Sequence, residues 1–581
     1  MISGLISTWA RLLAQVWRAY KSKVILLLIL TVFASLADGA TMALLLPLMS
    51  LVGVAGGSQP GTSTLIDKGF SMLGLQPSLE IVLVAIIGIF VVQGTLVMIQ
   101  GHVISSVESS YISYWRKTLL RSLLGASWGY LSRQKAGSLT YLIITEAERL
   151  GRVFFLTIQL IASVIVVIAY AAIALLISWQ ITVGVLVCLG ALAAAFFRFS
   201  AKFSYRIGRD YGAHLDNLQA TITDFLRSAK PIKATAAEAY VIEKTRPIHS
   251  EIERNYFGGV VVSYVLKVMM ELAAIVFFCV LIYIGMRILE MAPASLIVLL
   301  GIFFRLVPKL QNAQYQLQLM LSYLPAFGRI EEVMGEIDRM AEKYSLETRE
   351  PSFDRSPSIS LKDVTVEYEG RVALSHVSLE ICRNSTVCVV GESGAGKSTL
   401  VDCIVGLVAP VSGDVFLDGT PLAQVNLRRW RSSIGYVDQD TILFDGTVAE
   451  IICQGRDISR ESMIAAAKKA HAHDFVSDLP MGYDTPIGAH GVQLSGGQRQ
   501  RLAMSRALAG SPVMLILDEP TSALDAASEG EIATALQELH GSITIVIVSH
   551  RISAVRDVDN FVVLSAAKIV RETRDRGELW G

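Results

Sequence analysis

Six long apolar stretches occupy most of the first 321 residues, and they limit the possible folds more than anything else in the chain. They lie near Val24 to Val54, Leu79 to His102, Val153 to Trp179, Ile181 to Phe203, Val260 to Leu289 and Ala294 to Leu321. About 20 helical residues cross the hydrocarbon of a bilayer, and each stretch is long enough, or nearly so, to do it. The hydrophobic content of 52% and the mean hydropathy of +0.50 exceed those of a soluble chain, so much of this molecule lives in lipid. With 581 residues the chain is too long for one core, and at least two domains are expected.

Loop charge orients the spans. Arg116, Lys117, Arg121, Arg133, Lys135, Arg149 and Arg152 lie between spans two and three, and a similar basic set from Arg206 to Arg254 lies between spans four and five. The opposite loops carry only Lys68 and Arg287. The basic loops are therefore cytosolic, and six spans return the chain to the cytosol. Both loops have helical periodicity, as in Tyr205 to Arg227 and Ser138 to Arg152, so spans two to five should continue as helices beyond the bilayer. Residues 1–23 read as an amphipathic helix lying at the inner membrane surface, with Trp9, Leu12, Leu13, Val16 and Trp17 on one face. They lack the order of a cleaved signal peptide. Residues 24–327 would form the membrane domain, and the charged, turn-rich 328–358 a linker.

Charge and cysteine usage exclude other classes. The 51 basic and 51 acidic residues cancel, which argues against a nucleic-acid partner. The six cysteines form no C-x-x-C pair, so neither a zinc site nor a redox motif is supported.

From Ile359 the pattern changes to short strands, turns and helices, an α/β domain covering 359–581. The apolar Val387 to Val390 runs into Gly391, Glu392, Ser393, Gly394, Ala395, Gly396, Lys397 and Ser398, followed by Thr399. A strand that enters a glycine-rich turn and leaves as a helix aims backbone N–H groups and a helix N-terminus at one point, which suits a polyphosphate. Lys397 would sit on the β and γ phosphates and the Ser398 hydroxyl on Mg²⁺. Val513 to Leu517 is an apolar strand ending in Asp518, placed for the Mg²⁺ shell, and Glu519, placed to orient or deprotonate a water. Gln439 could reach Mg²⁺ and that water, and His550 the γ phosphate. Ser495, Gly496, Gly497 and Gln498 open another helix and make a second phosphate-binding N-terminus.

This set resembles the ATP-binding cassette family, and the order of membrane domain before nucleotide domain resembles its exporter half-transporters. The likeness covers essentially the whole chain. It implies six transmembrane helices with long cytosolic extensions joined to a cytosolic α/β P-loop ATPase domain, with ATP and Mg²⁺ as cofactors. It makes Gly391 to Ser398 the Walker A loop, Gln439 the Q-loop residue, Leu494 to Gln498 the signature, Asp518 and Glu519 the Walker B acids, Ser522 to Asp525 the D-loop and His550 the switch histidine. Tyr368 matches the aromatic residue that stacks on adenine. In that family the signature of one subunit completes the ATP site of the other, so the chain must pair, most simply as a homodimer. Pro520 stands where exporters more often have alanine, and Ala489 where a glutamate is common. The likeness also places segments coupling ATP use to transport near Leu139 to Glu146 and Gln219 to Leu226.

The expected activity is ATP-driven export by alternating access in the bacterial cytoplasmic (inner) membrane. Within the spans, Asp38, Lys267, Glu271, Arg305 and Lys309 are ionisable. Lys267 and Glu271, four apart, read first as an ion pair. Arg305 and Lys309 form either a basic patch for an anionic head group or cations that snorkel to the interface or pair with Asp38. Residues 37–49, 63–75 and 304–308 look similar to bacterial lipid-linked oligosaccharide flippases of the family. That favours an amphipathic, lipid-linked or anionic lipid substrate. The alternatives are export of a microcin-like peptide or of small hydrophobic compounds, and an ATP-gated channel or sensor without net transport.

Overall fold

A computed structural model describes residues 2–44, 78–177, 179–287, 293–340, 355–368, 370–488, 494–520, 525–549, 557–575 and 577. The chain forms two compact units, one helical up to about residue 341 and one α/β from there on.

The helical unit contains α1 (Ile2–Ala43), α2 (Leu79–Leu124), α3 (Ala147–Ile177), α4 (Trp179–Arg227), α5 (Glu238–Arg287), α6 (Pro293–Tyr323) and α7 (Pro325–Met340). The first six carry the described parts of the six apolar stretches. Helical geometry breaks once in α1, at Tyr20, where the amphipathic sequence gives way to the apolar one. Helices α2, α4 and α5 have 46, 49 and 50 residues. At 1.5 Å per residue each runs to about 70 Å, more than twice the roughly 30 Å of bilayer hydrocarbon. Their basic ends therefore stand outside the lipid. Among the described residues, four helical segments are long and apolar enough to cross a membrane by length and composition: Trp17–Ala37, Leu79–Leu124, Ala136–Ala172 and Glu238–Arg287.

One sequence expectation needs correcting here. The linker assigned from Gly328 begins instead as helix, because α7 buries Phe327, Ile330, Val333 and Ile337 in the same core as Tyr111, Leu119 and Leu150. Its apolar stripe at helical spacing is hidden among Arg329, Glu331, Glu332 and Glu336. The segments Leu139 to Glu146 and Gln219 to Leu226, where the family likeness places the coupling, both lie in helical stretches. Gln219 to Leu226 lies inside α4, and Leu142–Glu146 is a π-helical turn leading into α3. The chain reverses between Leu124 and Ala136, where Gly125 caps α2, and between Arg227 and Glu238.

A buried ion pair ties three of these helices together. Arg149 of α3 donates from Nη1 to Glu146 Oε1 at 2.7 Å, and from Nη2 to the carbonyls of Gly208 on α4 at 2.7 Å and Ser322 on α6 at 3.3 Å. The side chains of Arg149 and Glu146 are only 8% and 4% exposed. The approach needs a glycine, since a Cβ on Gly208 would stand 1.8 Å from the Ser322 carbonyl oxygen.

The α/β unit is built on β1 (Ile359–Tyr368), β2 (Arg371–Ile381), β3 (Thr386–Gly391), α8 (Lys397–Val405), β4 (Ser412–Leu417), β5 (Ile434–Val437), α9 (Gly496–Leu508), β6 (Met514–Asp518), α10 (Ala526–Leu539), β7 (Thr544–Val548), β8 (Asn560–Ser565) and β9 (Lys568–Thr573). A six-stranded sheet has the order β9-β8-β3-β7-β6-β5, parallel except for β9, and β2-β1-β4 form an antiparallel sheet beside it. Side chains alternate between two cores along the parallel strands. Val387, Val389, Met514, Ile516, Val546 and Val548 pack with α8 and the antiparallel sheet, whereas Cys388, Val390, Leu515, Leu517, Ile545 and Ile547 pack with α9 and α10. Helices α8 and α9 thus lie on opposite faces of one sheet.

Replacing Arg149 with Met would leave the Glu146 carboxylate buried without its partner, at a cost of about 3–5 kcal/mol. Thermal unfolding of the detergent-solubilised protein should show a clear fall in Tm for Arg149→Met. Adding Glu146→Leu should recover most of it; equal Tm values for wild type and the single variant would refute the role of this pair.

Candidate functional site

Strand β3 ends at Gly391 and α8 starts at Lys397, so the loop between them sits at the C-terminal edge of the parallel sheet. Gly394 (φ +80) and Gly396 (φ +103) lie in the left-handed region. A Cβ on Gly396 would also stand 2.4 Å from the Ala373 carbonyl oxygen, so this position demands glycine twice over. Glu392, Ser393 and Gly394 form an exposed lip, and Ala395 is buried beneath it. Lys397 reaches back over the loop and donates to the carbonyls of Gly391 at 2.9 Å and Glu392 at 2.8 Å. Burial lowers its pKa, against the opposing pull of Glu519 and Asp518. The next two residues reach outward, Ser398 to a hydrogen bond with Asp518 and Thr399 to one with Tyr368 at the end of β1.

Asp518 ends β6 next to β7, and Glu519 follows it with φ 47, a left-handed conformation rare for a glutamate. A backbone hydrogen bond from Glu519 N to the Val548 carbonyl, 2.8 Å long, holds this turn. Gln439, just past β5, donates from Nε2 to Glu519 Oε2 at 2.9 Å. Residues 80 positions apart in the chain therefore meet at the sheet edge, beside the loop and Ser398.

The site is more acidic than the motifs alone suggest. Burial raises the Asp518 pKa, with Glu519 and Asp438 adding to the shift and Lys397 opposing it. Asp402 is pushed up to about 6 by burial first and by Asp518 and Asp438 next. The sequence reading did not single out Asp402 or Asp438. The signal was available: Asp402 stands four residues after Ser398, on the same face of α8, and Asp438 immediately precedes Gln439.

Ser495 caps α9 through a reciprocal box, its Oγ accepting from Gln498 N at 3.2 Å and its N donating to Gln498 Oε1 at 2.9 Å. Gly496 opens the helix, and a Cβ on Gly497 would stand 2.1 Å from Ser528 Oγ, so α9 and α10 touch there. Because α9 packs on the face of the sheet opposite α8, these residues belong to a different corner of the unit from Lys397. Asp525 caps α10 by accepting from Ser528 N. Residues 489–493, 521–524 and 550–556, with Ala489, Ser522 and His550 among them, lie outside the described residues, as do 45–77.

In the helical unit, Lys267 and Glu271 stand 3.9 Å apart, the contact their spacing anticipates. Arg305 and Lys309 are half-buried on α6. Neither lines the large cavity of about 830 Å³ between α4, α5 and α6, although Pro308 between them does. Asp38 lies on α1, and its side chain falls outside the described set.

Comparison with known proteins agrees with this architecture. The family model for the ABC transporter transmembrane region matches residues 24–307, and the ABC transporter model matches 374–522. An ATP-dependent lipid A-core flippase of Chromobacterium violaceum is 29% identical over 556 residues, covering 92% of each chain. One from Haemophilus influenzae is 26% identical and covers 98% of this chain and 94% of its own. The solved structure of a bacterial Atm1-family ABC exporter with ATP bound shares the fold, with a TM-score of 0.77 at 21% identity over 96% of this chain and 95% of that one. The chain belongs to the ABC transporter family, with a membrane region and an ATP-hydrolysing domain that drives transport in one polypeptide of exporter architecture.

Proposed function

We propose that this protein is an ATP-driven exporter that moves a lipid-linked amphipathic substrate outward from the inner leaflet of a bacterial cytoplasmic membrane, working as a homodimer. The observation that carries the reading is the assembled catalytic corner, where Gln439 holds Glu519 beside the Ser398–Asp518 pair at the mouth of the glycine loop. The substrate class is supported by the lipid A-core flippases, which align over more than nine-tenths of the chain.

The roles follow from the chemistry of each group. The loop from Gly391 to Thr399 would bind the phosphates of ATP, with Lys397 turning from the loop carbonyls to the β and γ oxygens. Tyr368, whose hydroxyl is tied to Thr399, would stack on adenine. Glu519 is held in one orientation by Gln439 and would take a proton from the attacking water, and His550 would contact the γ phosphate. The oxygen donors of Ser398, Asp518 and Gln439 fit Mg²⁺, since the carboxylates around Asp518 leave excess negative charge there. When bound, Mg²⁺ supplies charge neutralisation at the β and γ oxygens.

Pairing follows from the placement of the two phosphate-binding corners. Helices α8 and α9 lie on opposite faces of the sheet, so Ser495 to Gln498 would complete the ATP site of a second copy rather than their own. Closure of two such sites on ATP and reopening after hydrolysis would drive alternating access.

Three outcomes are expected. Glu519→Gln should bind ATP as the wild type does and hydrolyse it about 10²–10⁴ times more slowly in a steady-state phosphate assay; unimpaired turnover would exclude Glu519 as the base. Mixed Ser398→Cys and Ser495→Cys proteins should give an ATP-dependent disulfide dimer on a non-reducing gel, and a homodimer cannot be maintained without one. Asp402 has a folded pKa of about 6 against an ordinary 3.8, so the stability it contributes is present below pH 3.8 and lost as pH rises towards 6. The Tm of the nucleotide-free protein should fall across that window, and Asp402→Asn should flatten the fall; a parallel curve would remove the assignment.

A further inference from the structure

We propose that Arg506 is a positioning residue for ATP hydrolysis: from α9 it fixes the segment around Gln439, and through Gln439 the carboxylate of Glu519. The inference rests on the reading of Gln439 and Glu519 as hydrolytic groups and adds the side chain that decides where they stand.

The need for an anchor comes from the chain itself. Strand β5 ends at Val437, and residues 438–445 form neither helix nor strand. Gln439 is exposed, and its side chain crosses to Glu519 Oε2 over 2.9 Å. A loop side chain in that setting samples several rotamers unless its backbone is held, and ordering it costs entropy. The Asp438 carboxylate accepts from the Gln439 N–H at 2.9 Å. That bond is local: it shapes the loop without tying it to the rest of the unit.

The wider ties come from α9. Gly435 of β5 lies against the last turn of this helix, where an added Cβ would stand 2.7 Å from the Ala507 carbonyl oxygen. Leu443 is buried in the same core as Leu502 and Ala503. Between those two contacts, Arg506 donates from Nη1 to the Ile442 carbonyl at 3.2 Å. Burial lowers the Arg506 pKa, Arg456 lowers it further and Asp438 opposes both, so the guanidinium lies in the field of the Asp438 carboxylate. A second tie runs from Thr441 Oγ1 to Gln500 Oε1 at 3.4 Å. The backbone of α9 is itself fixed at this point by Arg456, whose Nη2 donates to the carbonyls of Arg506 at 2.6 Å and Ile452 at 3.0 Å.

Arginine suits the position. Its N–H donors form a rigid planar fork, whereas a lysine ammonium is a point charge on a flexible stem. One guanidinium thus bonds a carbonyl on one side of Gln439 while its charge attracts the carboxylate on the other. Precision matters here, because a misplacement of about 1 Å near reacting groups can cost about 10²-fold in rate.

The test uses the full-length detergent-solubilised protein, with steady-state phosphate release giving kcat and KM for ATP. Arg506→Lys should lower kcat about tenfold and leave KM within about twofold, the signature of an interaction that acts on the chemical step. The same substitution is then made in a Gln439→Ala background, whose own rate is already reduced. There Arg506→Lys should change kcat by less than about twofold, since a residue that acts through Gln439 has nothing left to position. Thr441→Val, which removes one hydroxyl at nearly constant volume, should lower kcat about threefold and lose that effect in Gln439→Ala. It keeps the proposal open to test if Arg506→Lys fails to assemble. An unchanged kcat in both single variants, equal losses in the two backgrounds, or a raised KM at constant kcat would overturn the positioning role while leaving Gln439 and Glu519 in theirs. Gln439→Ala turning over at the wild-type rate would overturn the hydrolytic reading of Gln439 and this inference with it.

Discussion

A bilayer gives the peptide backbone nothing to hydrogen-bond with, and the helical unit is shaped by that one constraint. Every apolar stretch in the first half of the chain must close its backbone bonds within itself, so it becomes a helix before any packing is considered. The helices then outrun the lipid, since α2, α4 and α5 have 46, 49 and 50 residues. Their outer portions bring the charge that hydrocarbon excludes. Arg149 sits in that portion of α3 and joins it to α4 and α6 through Glu146 and two backbone carbonyls. Its Nη atoms are used in holding helices together.

In the α/β unit the organising constraint is the two-residue period of the strands. Odd and even positions of β3, β6 and β7 enter different cores, and each core selects its own helices. The nucleotide loop leaves the sheet with α8 on one side, while the Ser495 corner leaves with α9 on the other. A single copy therefore carries the glycine loop and the Ser495 corner on opposite faces of the sheet. The same sheet edge collects Ser398, Asp518, Glu519 and Gln439 into contact, with Glu519 held in a backbone conformation that its side chain does not favour. Strain of that kind persists where neighbouring strands overdetermine the turn, here through the bond to Val548.

Around Asp518 carboxylates crowd together and resist ionisation, the setting that a divalent cation relieves. In the cavity of the helical unit, Ser204 Oγ, Gln311 Nε2, Gln314 Nε2 and Arg149 Nε are buried without partners.

Much of this was legible in the sequence, and what was missed has a common cause. The apolar stretches, the loop charge and the motifs from Gly391 to Glu519 are local patterns. Hydrocarbon length, helix period and phosphate chemistry translate them directly into spans, orientation and a nucleotide site. Helix α7 was read as linker because its five buried positions are outnumbered by neighbouring charges, and burial shows only once α2 and α3 are in place. Asp402 and Asp438 joined the acidic cluster only when α8 and β5 were brought to the same sheet edge. The long apolar helices and the fused ATPase domain were determined by sequence alone, because each depends on residues close together in the chain. The bond between Gln439 and Glu519, the opposed faces of α8 and α9, and a tyrosine- and amide-lined cavity were decided by tertiary structure, because each needs residues from distant segments to share a place that no local pattern encodes.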